Sequence, residues 1–228
     1  MLQGVCAQRP SHSFQFAGQP LPVDARMSGI YLGAASSLLW YLLVCRARYS
    51  GRFTRGTWIL LGLCIGAMAF DGLNSLAADL ALSTPFETTN LTRLVTGLLS
   101  GVAIGAILSH LATISLTHRP RGGWPPVPAA TLVPPLVFGI FVCVLAASGL
   151  ASLAVPVTCL IVGSALAVLW AMTSVVLALS LRRGWGFASL RQRDETLALA
   201  FVGACFLLVG LAGWRTLLEQ VVGPIRLS

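Results

Sequence analysis

The residues best suited to chemistry are a few ionisable and amide side chains inside or beside long apolar segments. Asp71 and Asn74 are three residues apart, so they share one face of a helix. Asn90 and Arg93 have the same spacing at the start of the next apolar segment. A charge in or near a bilayer is costly, and it is retained where it is paired or where it binds a ligand or ion.

A helical hairpin between these two segments predicts an ion pair of Asp71 with Arg93, because pairing lowers the cost of both charges. The same groups could instead bind a small solute, an ion or a lipid headgroup. In that case the amides would orient the ligand, and the N-terminal tail with Arg26 and Tyr31 would cover the site. Both interpretations stay open at the level of sequence. The candidate ligand-binding residues are Asp71, Asn74, Asn90, Arg93, Arg26 and Tyr31.

The composition indicates which elements must position these groups. Of the 228 residues, 56% are hydrophobic and 10% are charged, whereas charged residues make up about 25% of an ordinary soluble domain. Uncharged runs cover 27–45, 122–181 and 196–214, and about 20 apolar residues cross a bilayer as a helix. We therefore expect an all-α, polytopic transmembrane helical bundle. A soluble protein, a disordered chain and a membrane β-barrel do not fit this pattern.

The arginines predict the orientation of the bundle. Ten of the fifteen basic residues, all arginine, fall in three alternate connections at 46–55, 119–121 and 182–193. Cytoplasmic loops carry such an excess, so about six spans with both termini extracytoplasmic are expected. The expected spans are roughly 28–45, 57–78, 94–116, 131–150, 155–179 and 196–214.

This topology divides the chain into four parts. They are an extracytoplasmic tail at 1–27, a three-span unit at 28–117, a cytoplasmic loop rich in proline and arginine at 118–130, and three further spans with a short C-terminal tail at 131–228.

The connection between the second and third spans contains a helix-start pattern. Thr84, Pro85 and Glu87 match a capping box with proline at the first helical position. The pattern predicts a helix that starts near Pro85 and continues into the third span.

Glycines at intervals of four residues occur in two spans. Gly97, Gly101 and Gly105 lie in the third span, and Gly62 and Gly66 lie in the second. Small residues let helices approach closely in lipid, so these glycines predict packing inside the bundle. The same glycine faces of spans two and three could bind a membrane-protein partner. A non-catalytic accessory or assembly subunit of a larger membrane complex is therefore the alternative function.

Catalytic and cofactor signatures are missing from the sequence. It has no Gly-x-Ser-x-Gly, Walker-type or His-Glu-x-x-His motif, and its six cysteines include no Cys-x-x-Cys pair. An enzyme is less expected than a binding protein but stays open, and its acid-base pair would be Asp71 with His12 or Glu87. We expect no cofactor and the lipid bilayer as the environment. The topology accounts for the arginines, so no nucleic-acid partner is expected.

The first half of the chain resembles a family of uncharacterised, predicted prokaryotic membrane proteins. That family typically has Cys-His-Gln followed by Leu-Pro-Val-Cys-Ala-Arg-Cys-Thr-Gly-Ile-Tyr-Leu-Gly. The matching stretches here are 6–14, 21–33, 71–74 and 89–97, and the resemblance covers about residues 5–108. It implies a multi-pass protein of the plasma (inner) membrane of a prokaryote.

The departures from the family pattern concern its soft ligands. Ala7, Asp24 and Met27 replace one histidine and two cysteines, which in the family would suit a zinc-like or redox site together with the first cysteine. No metal site is assigned here, and the weaker candidates that remain are Cys6, His12 and Asp24. The family residues that this chain keeps, all expected at the extracytoplasmic face, are Arg26, Gly29, Tyr31, Asp71, Asn74, Asn90 and Arg93.

Overall fold

Helices dominate the part of the chain that the structure describes. The computed structural model describes residues 12–16, 19–21, 23–45, 52–116, 125–181 and 190–222. The first elements are two short strands, β1 (Gln15–Phe16) and β2 (Gln19–Pro20), which pair antiparallel. The helices that follow are α1 (Ala25–Leu39), which continues as a π-helix at Trp40–Cys45, α2 (Arg55–Asp79), α3 (Asn90–Leu116), α4 (Val133–Ala147), α5 (Ala154–Ser180) and α6 (Leu190–Val222). Short 3-10 turns at Ala129–Leu132 and Ala151–Leu153 precede α4 and α5.

Among the residues that the structure describes, five helical segments are long and apolar enough to cross a membrane. They are Arg55–Asp79, Asn90–Ser115, Ala129–Ala147, Ala151–Ser180 and Arg193–Trp214. The expected class, a polytopic helical membrane protein, is therefore confirmed. The first expected span corresponds to the continuous helical segment that α1 and the π-helix form from Ala25 to Cys45. The count of six and the orientation of the termini stay predictions.

Helices α3 and α1 form the centre of the bundle, where α3 packs against α1, α2, α4 and α5, and α1 packs against α3, α4 and α5. The contact between α1 and α3 is a direct approach of two backbones. A Cβ at Gly101 would overlap the carbonyl oxygen of Ile30, and a Cβ at Gly29 would overlap that of Leu94. Only glycine fits such positions, because any side chain would separate the helices.

The two expected glycine faces therefore differ in whether another helix covers them. Gly97, Gly101 and Gly105 on α3 all contact α1, so this face is already used within the chain. It is not available to a partner, and that half of the expectation is corrected. A Cβ at Gly62 or Gly66 on α2 would meet no atom of the described residues within 4 Å, so these two positions are open.

Contacts between helix ends show that successive helices alternate in direction. Arg26 at the start of α1 contacts Asp71 near the end of α2, and Asp71 contacts Thr96 near the start of α3. We call this end of the bundle the Asp71 end. At the opposite end, the hydroxyls of Tyr41 and Thr131 are 2.6 Å apart. The helix ends that flank the arginine-rich connections belong to this opposite end.

Helix α3 begins at Asn90, so the expected start near Pro85 is wrong. A reciprocal cap forms later than predicted. The Thr89 hydroxyl accepts a hydrogen bond from the Thr92 amide at 3.2 Å, and the Thr92 hydroxyl accepts one from the Thr89 amide at 2.9 Å. Residues 82–89 are non-helical, and the Asn74 side chain donates to the carbonyl oxygen of Phe86 within this segment.

Candidate functional site

Polar side chains from α1, α2 and α3 meet at the Asp71 end and are called the polar cluster: Arg26, Asp71, Asn74, Ser75, Asn90, Arg93 and Thr96. An ion pair between α1 and α2 lies at its centre. Arg26 Nη2 donates to Asp71 Oδ2 at 2.5 Å. The side chain of Asp71 is 2% exposed and that of Arg26 is 24% exposed. The Thr96 hydroxyl lies 3.2 Å from the same carboxylate oxygen. One buried carboxylate thus connects the first three helices.

The expected pair of Asp71 with Arg93 is wrong. Arg93 instead donates from Nη2 to Ser75 Oγ at 3.2 Å and from Nη1 to Asn90 Oδ1 at 3.3 Å. The reason is the central position of α1, which hydropathy does not reveal. Gly97 lets the backbone of Arg26 contact α3, and this close approach delivers the Arg26 guanidinium to Asp71.

Asn74 ties the connection between α2 and α3 to the bundle. Its Nδ2 donates to the carbonyl oxygen of Phe86 at 2.8 Å and to Thr88 Oγ1 at 3.0 Å. Its side chain is buried, as the shared face with Asp71 predicts. Asn90 and Arg93 also share a face, and their hydrogen bond confirms it.

Three polar atoms at the Asp71 end are buried and have no hydrogen-bond partner among the described residues. They are Asp71 Oδ1, Asn74 Oδ1 and Arg26 Nε. Leaving a buried donor or acceptor unpaired costs about 1–3 kcal/mol. Native structures rarely accept that cost without a bound water, ion or ligand. The cluster can therefore accept and donate further hydrogen bonds.

Tyr31 differs from its expected role as part of a cover. It is 6% exposed and belongs to the hydrophobic core on α1. Arg26, the other residue of the expected cover, is part of the ion pair itself.

Of the three metal candidates, the structure describes His12 and Asp24, so a site formed by all three stays a prediction. No group of three or more His, Cys, Asp or Glu side chains comes together among those residues. Asp24 instead caps α1, since its Oδ1 accepts from the Met27 amide at 2.7 Å. Cys6 lies outside the described residues.

Two neutral side chains complete the cluster and were missed at the level of sequence. Ser75 receives the Arg93 guanidinium, and Thr96 contacts Asp71. The available signal was helical spacing, because Ser75 is four residues after Asp71 and Thr96 is three after Arg93. Hydroxyls are common in membrane helices, however, so spacing alone does not single these two out.

Apolar helices of membrane-spanning length define the class of the molecule as a helical membrane protein, and their alternating directions gather a buried polar cluster at one end. Residues 6–107 match the family described as "Predicted membrane protein (DUF2085)". An uncharacterized protein of Methanothermobacter thermautotrophicus is 30% identical over 110 residues, which are 47% of this chain and 89% of that protein. The chain belongs to the DUF2085 family of predicted membrane proteins. No solved structure matches the chain.

The family match covers α1, α2 and most of α3. These are the helices whose side chains meet around Asp71. The chemistry of this cluster therefore depends on contacts made within the family region of the chain.

Proposed function

We propose that this chain is a multi-pass protein of the prokaryotic plasma membrane that binds a small polar ligand at the Asp71 end of its bundle. The observation that carries the proposal is the buried, unpaired Oδ1 of Asp71 beside the ion pair with Arg26. A carboxylate with a purely structural role would be expected to use both oxygens, because buried acceptors are nearly always paired. The free oxygen supports a ligand site over a purely structural pair.

The arginine distribution supports an extracytoplasmic position for this site. The arginine-rich connections at 46–55, 119–121 and 182–193 join helix ends opposite to Asp71, and such connections favour the cytoplasm. A sixth crossing by the segment Ala25–Cys45 completes this topology. The ligand would then reach the cluster from outside the cell or from the outer leaflet. If the chain transports that ligand, the cluster would be one of its binding sites.

The test is native mass spectrometry of the full chain, extracted gently from its own membrane. We expect the wild-type chain to carry a reproducible small mass that Asp71→Asn loses, because the amide keeps the shape but changes the charge and the hydrogen bonding. Asp194→Asn is the matched control, since Asp194 is 65% exposed at the opposite end. A wild-type chain without added mass, or a mass that persists in Asp71→Asn, would contradict the proposal.

A second function, an accessory subunit of a membrane complex, is favoured by the open face of α2. In the most apolar part of α2 only 22% is buried inside the protein, whereas in that of α3 61% is buried. Gly62 and Gly66 lie open on this poorly covered helix. Small residues at a four-residue spacing are typical of helix association in lipid. If the chain serves as such a subunit, a partner helix binds this face and the polar cluster has only a structural role.

A further inference from the structure

The polar cluster has both donor and acceptor capacity that the described chain does not use. Asp71 Oδ1 and Asn74 Oδ1 are buried acceptors without a partner, and Arg26 Nε is a buried donor without one. Arg93 is a partly buried cation, and within the described residues its hydrogen bonds go to the neutral oxygens of Asn90 and Ser75. No carboxylate forms a salt bridge with it in the described residues, although a cation in this environment is usually paired.

The charges around the cluster argue against a simple ion as the ligand. Arg93 is repelled by the charge of Arg26 and attracted by those of Asp71, Asp24 and Asp79. Of these carboxylates, Asp71 forms its ion pair with Arg26. A small cation would meet two guanidinium groups at this site. A small anion would suit Arg93 but would leave the oxygens of Asp71 and Asn74 without donors. A ligand that carries a cationic donor and an anionic group side by side satisfies both requirements.

We infer that the site binds a primary ammonium joined to a phosphate through a few bonds, as in a phosphoethanolamine group. This inference rests on the proposed ligand-binding function and names the ligand class. The ammonium has three N–H donors for the unpaired oxygens of Asp71 and Asn74. The phosphate accepts from Arg93, because guanidinium groups match phosphate oxygens in geometry.

The spacing of the two subsites fits such a group. Arg93 binds Ser75, which lies four residues after Asp71 on the same helix. Four residues are about 6 Å along a helix axis. The backbone positions of Asp71 and Ser75 are therefore about one helical turn apart, with Asn74 between them, and a short zwitterion can span that separation.

Apolar side chains at the same end suit a ligand that comes from the membrane. Leu73 and Leu76, on either side of Asn74 and Ser75, are 66% and 54% exposed, and Leu91 beside Asn90 is 60% exposed. Acyl chains can cover these side chains while a headgroup reaches the cluster. A phospholipid headgroup and free phosphoethanolamine offer the same chemistry, so the source is a separate outcome of the test.

The experiment measures binding to the purified full chain with four soluble probes and two lipids. Phosphoethanolamine is compared with phosphocholine, which has no N–H donor, with ethanolamine, which lacks the anion, and with inorganic phosphate, which lacks the ammonium. We expect only phosphoethanolamine to bind measurably in calorimetry and to raise Tm. In nanodiscs, a phosphatidylethanolamine bilayer should raise Tm over phosphatidylcholine if the source is the lipid. Equal Tm values with retained binding of the soluble probe would assign the source to the free compound.

Two variants test the phosphate subsite without altering the buried Asp71. Arg93→Gln removes the phosphate subsite without touching the Arg26–Asp71 pair, and we expect affinity for phosphoethanolamine to fall about tenfold. Arg191→Gln is the matched control, because Arg191 is exposed and pairs with Glu195 at the opposite end. Its affinity should equal that of the wild type.

The two proposals fail in different ways. Equal binding of inorganic phosphate and phosphoethanolamine, with loss in Arg93→Gln, would overturn the zwitterion and keep the ligand site. Equal binding of phosphocholine would overturn the ammonium subsite in the same way. Absence of binding by every probe would overturn the proposal of a zwitterionic ligand. An added native mass that is lost in Asp71→Asn would then still support the proposed function, and absence of that mass would overturn both.

Discussion

At the scale of single residues, Asp71 determines how the first three helices meet. It is nearly fully buried, it pairs with Arg26, and it lies within hydrogen-bond distance of Thr96. Truncating one partner of a buried pair leaves an uncompensated charge, which costs more than the pair itself contributes. The pair is therefore better tested by joint replacement than by single truncation.

We expect Arg26→Leu alone to destabilise the folded chain by about 3–5 kcal/mol, since it leaves Asp71 charged and unpaired. The double variant Arg26→Leu with Asp71→Leu should recover most of that loss. Thermal unfolding in one detergent measures both values. If the double variant is no more stable than Arg26→Leu alone, the two residues do not act as a pair.

The polar cluster was only partly predictable at this scale. Sequence spacing placed Asp71 with Asn74 and Asn90 with Arg93 on shared faces, and these relations hold. The partner of Asp71 was predicted wrongly, because the choice between Arg26 and Arg93 depends on how closely α1 approaches α3. That approach is a property of backbone packing and not of local pattern.

At the scale of elements, the glycine faces of α2 and α3 have the same four-residue spacing but different roles. Each face is a stripe of glycines along one side of its helix. The α3 stripe lies against the backbone of α1, whereas Gly62 and Gly66 of α2 lie open. Periodicity alone cannot separate these cases, since it identifies a face but not what covers it.

We expect Gly101→Ala to lower Tm strongly, because its Cβ would overlap the Ile30 carbonyl and separate α1 from α3. Gly62→Ala is the matched change on the open stripe. It should leave Tm unchanged or raise it slightly, since alanine favours a helix over glycine by up to about 1 kcal/mol. A similar loss of Tm in both variants would contradict the assigned packing.

The open stripe also provides a test of the accessory-subunit alternative. Gly62→Leu should release a partner helix on α2 while the chain remains folded. Gly163→Leu is its control, because Gly163 on α5 is equally open. A partner that co-purifies equally with both variants would not be bound through the α2 stripe.

At the scale of the whole molecule, the central prediction concerns orientation. Glu87 lies in the exposed connection at the Asp71 end, and Asp194 lies in the first turns of α6 at the opposite end. The positive-inside pattern places the first outside and the second in the cytoplasm.

A membrane-impermeant maleimide should therefore label Glu87→Cys in intact cells and label Asp194→Cys only after the cells are opened. The signal is read above that of the parent chain, which has cysteines of its own. Labelling in the reverse order would invert the topology and place the polar cluster in the cytoplasm. Labelling of both in intact cells would contradict the alternating arrangement of the helices.

The sequence by itself determined the class of this protein and the positions of its helices. Long uncharged runs require a bilayer, and backbone hydrogen bonding in lipid requires helices, so these features follow from local composition. Helix ends were less accurate, because α3 starts where Thr89 and Thr92 cap it and not at the expected Pro85.

The tertiary structure alone decided which helices are central and which charges meet. In lipid, apolar surface does not drive helices together, so the arrangement depends on close backbone contact and on pairing of polar groups. Gly29 and Gly101 make that contact possible for α1 and α3. The contact brings Arg26 to Asp71 and leaves Arg93 without a carboxylate partner in the described chain. Such relations between distant residues have no signature in a single sequence.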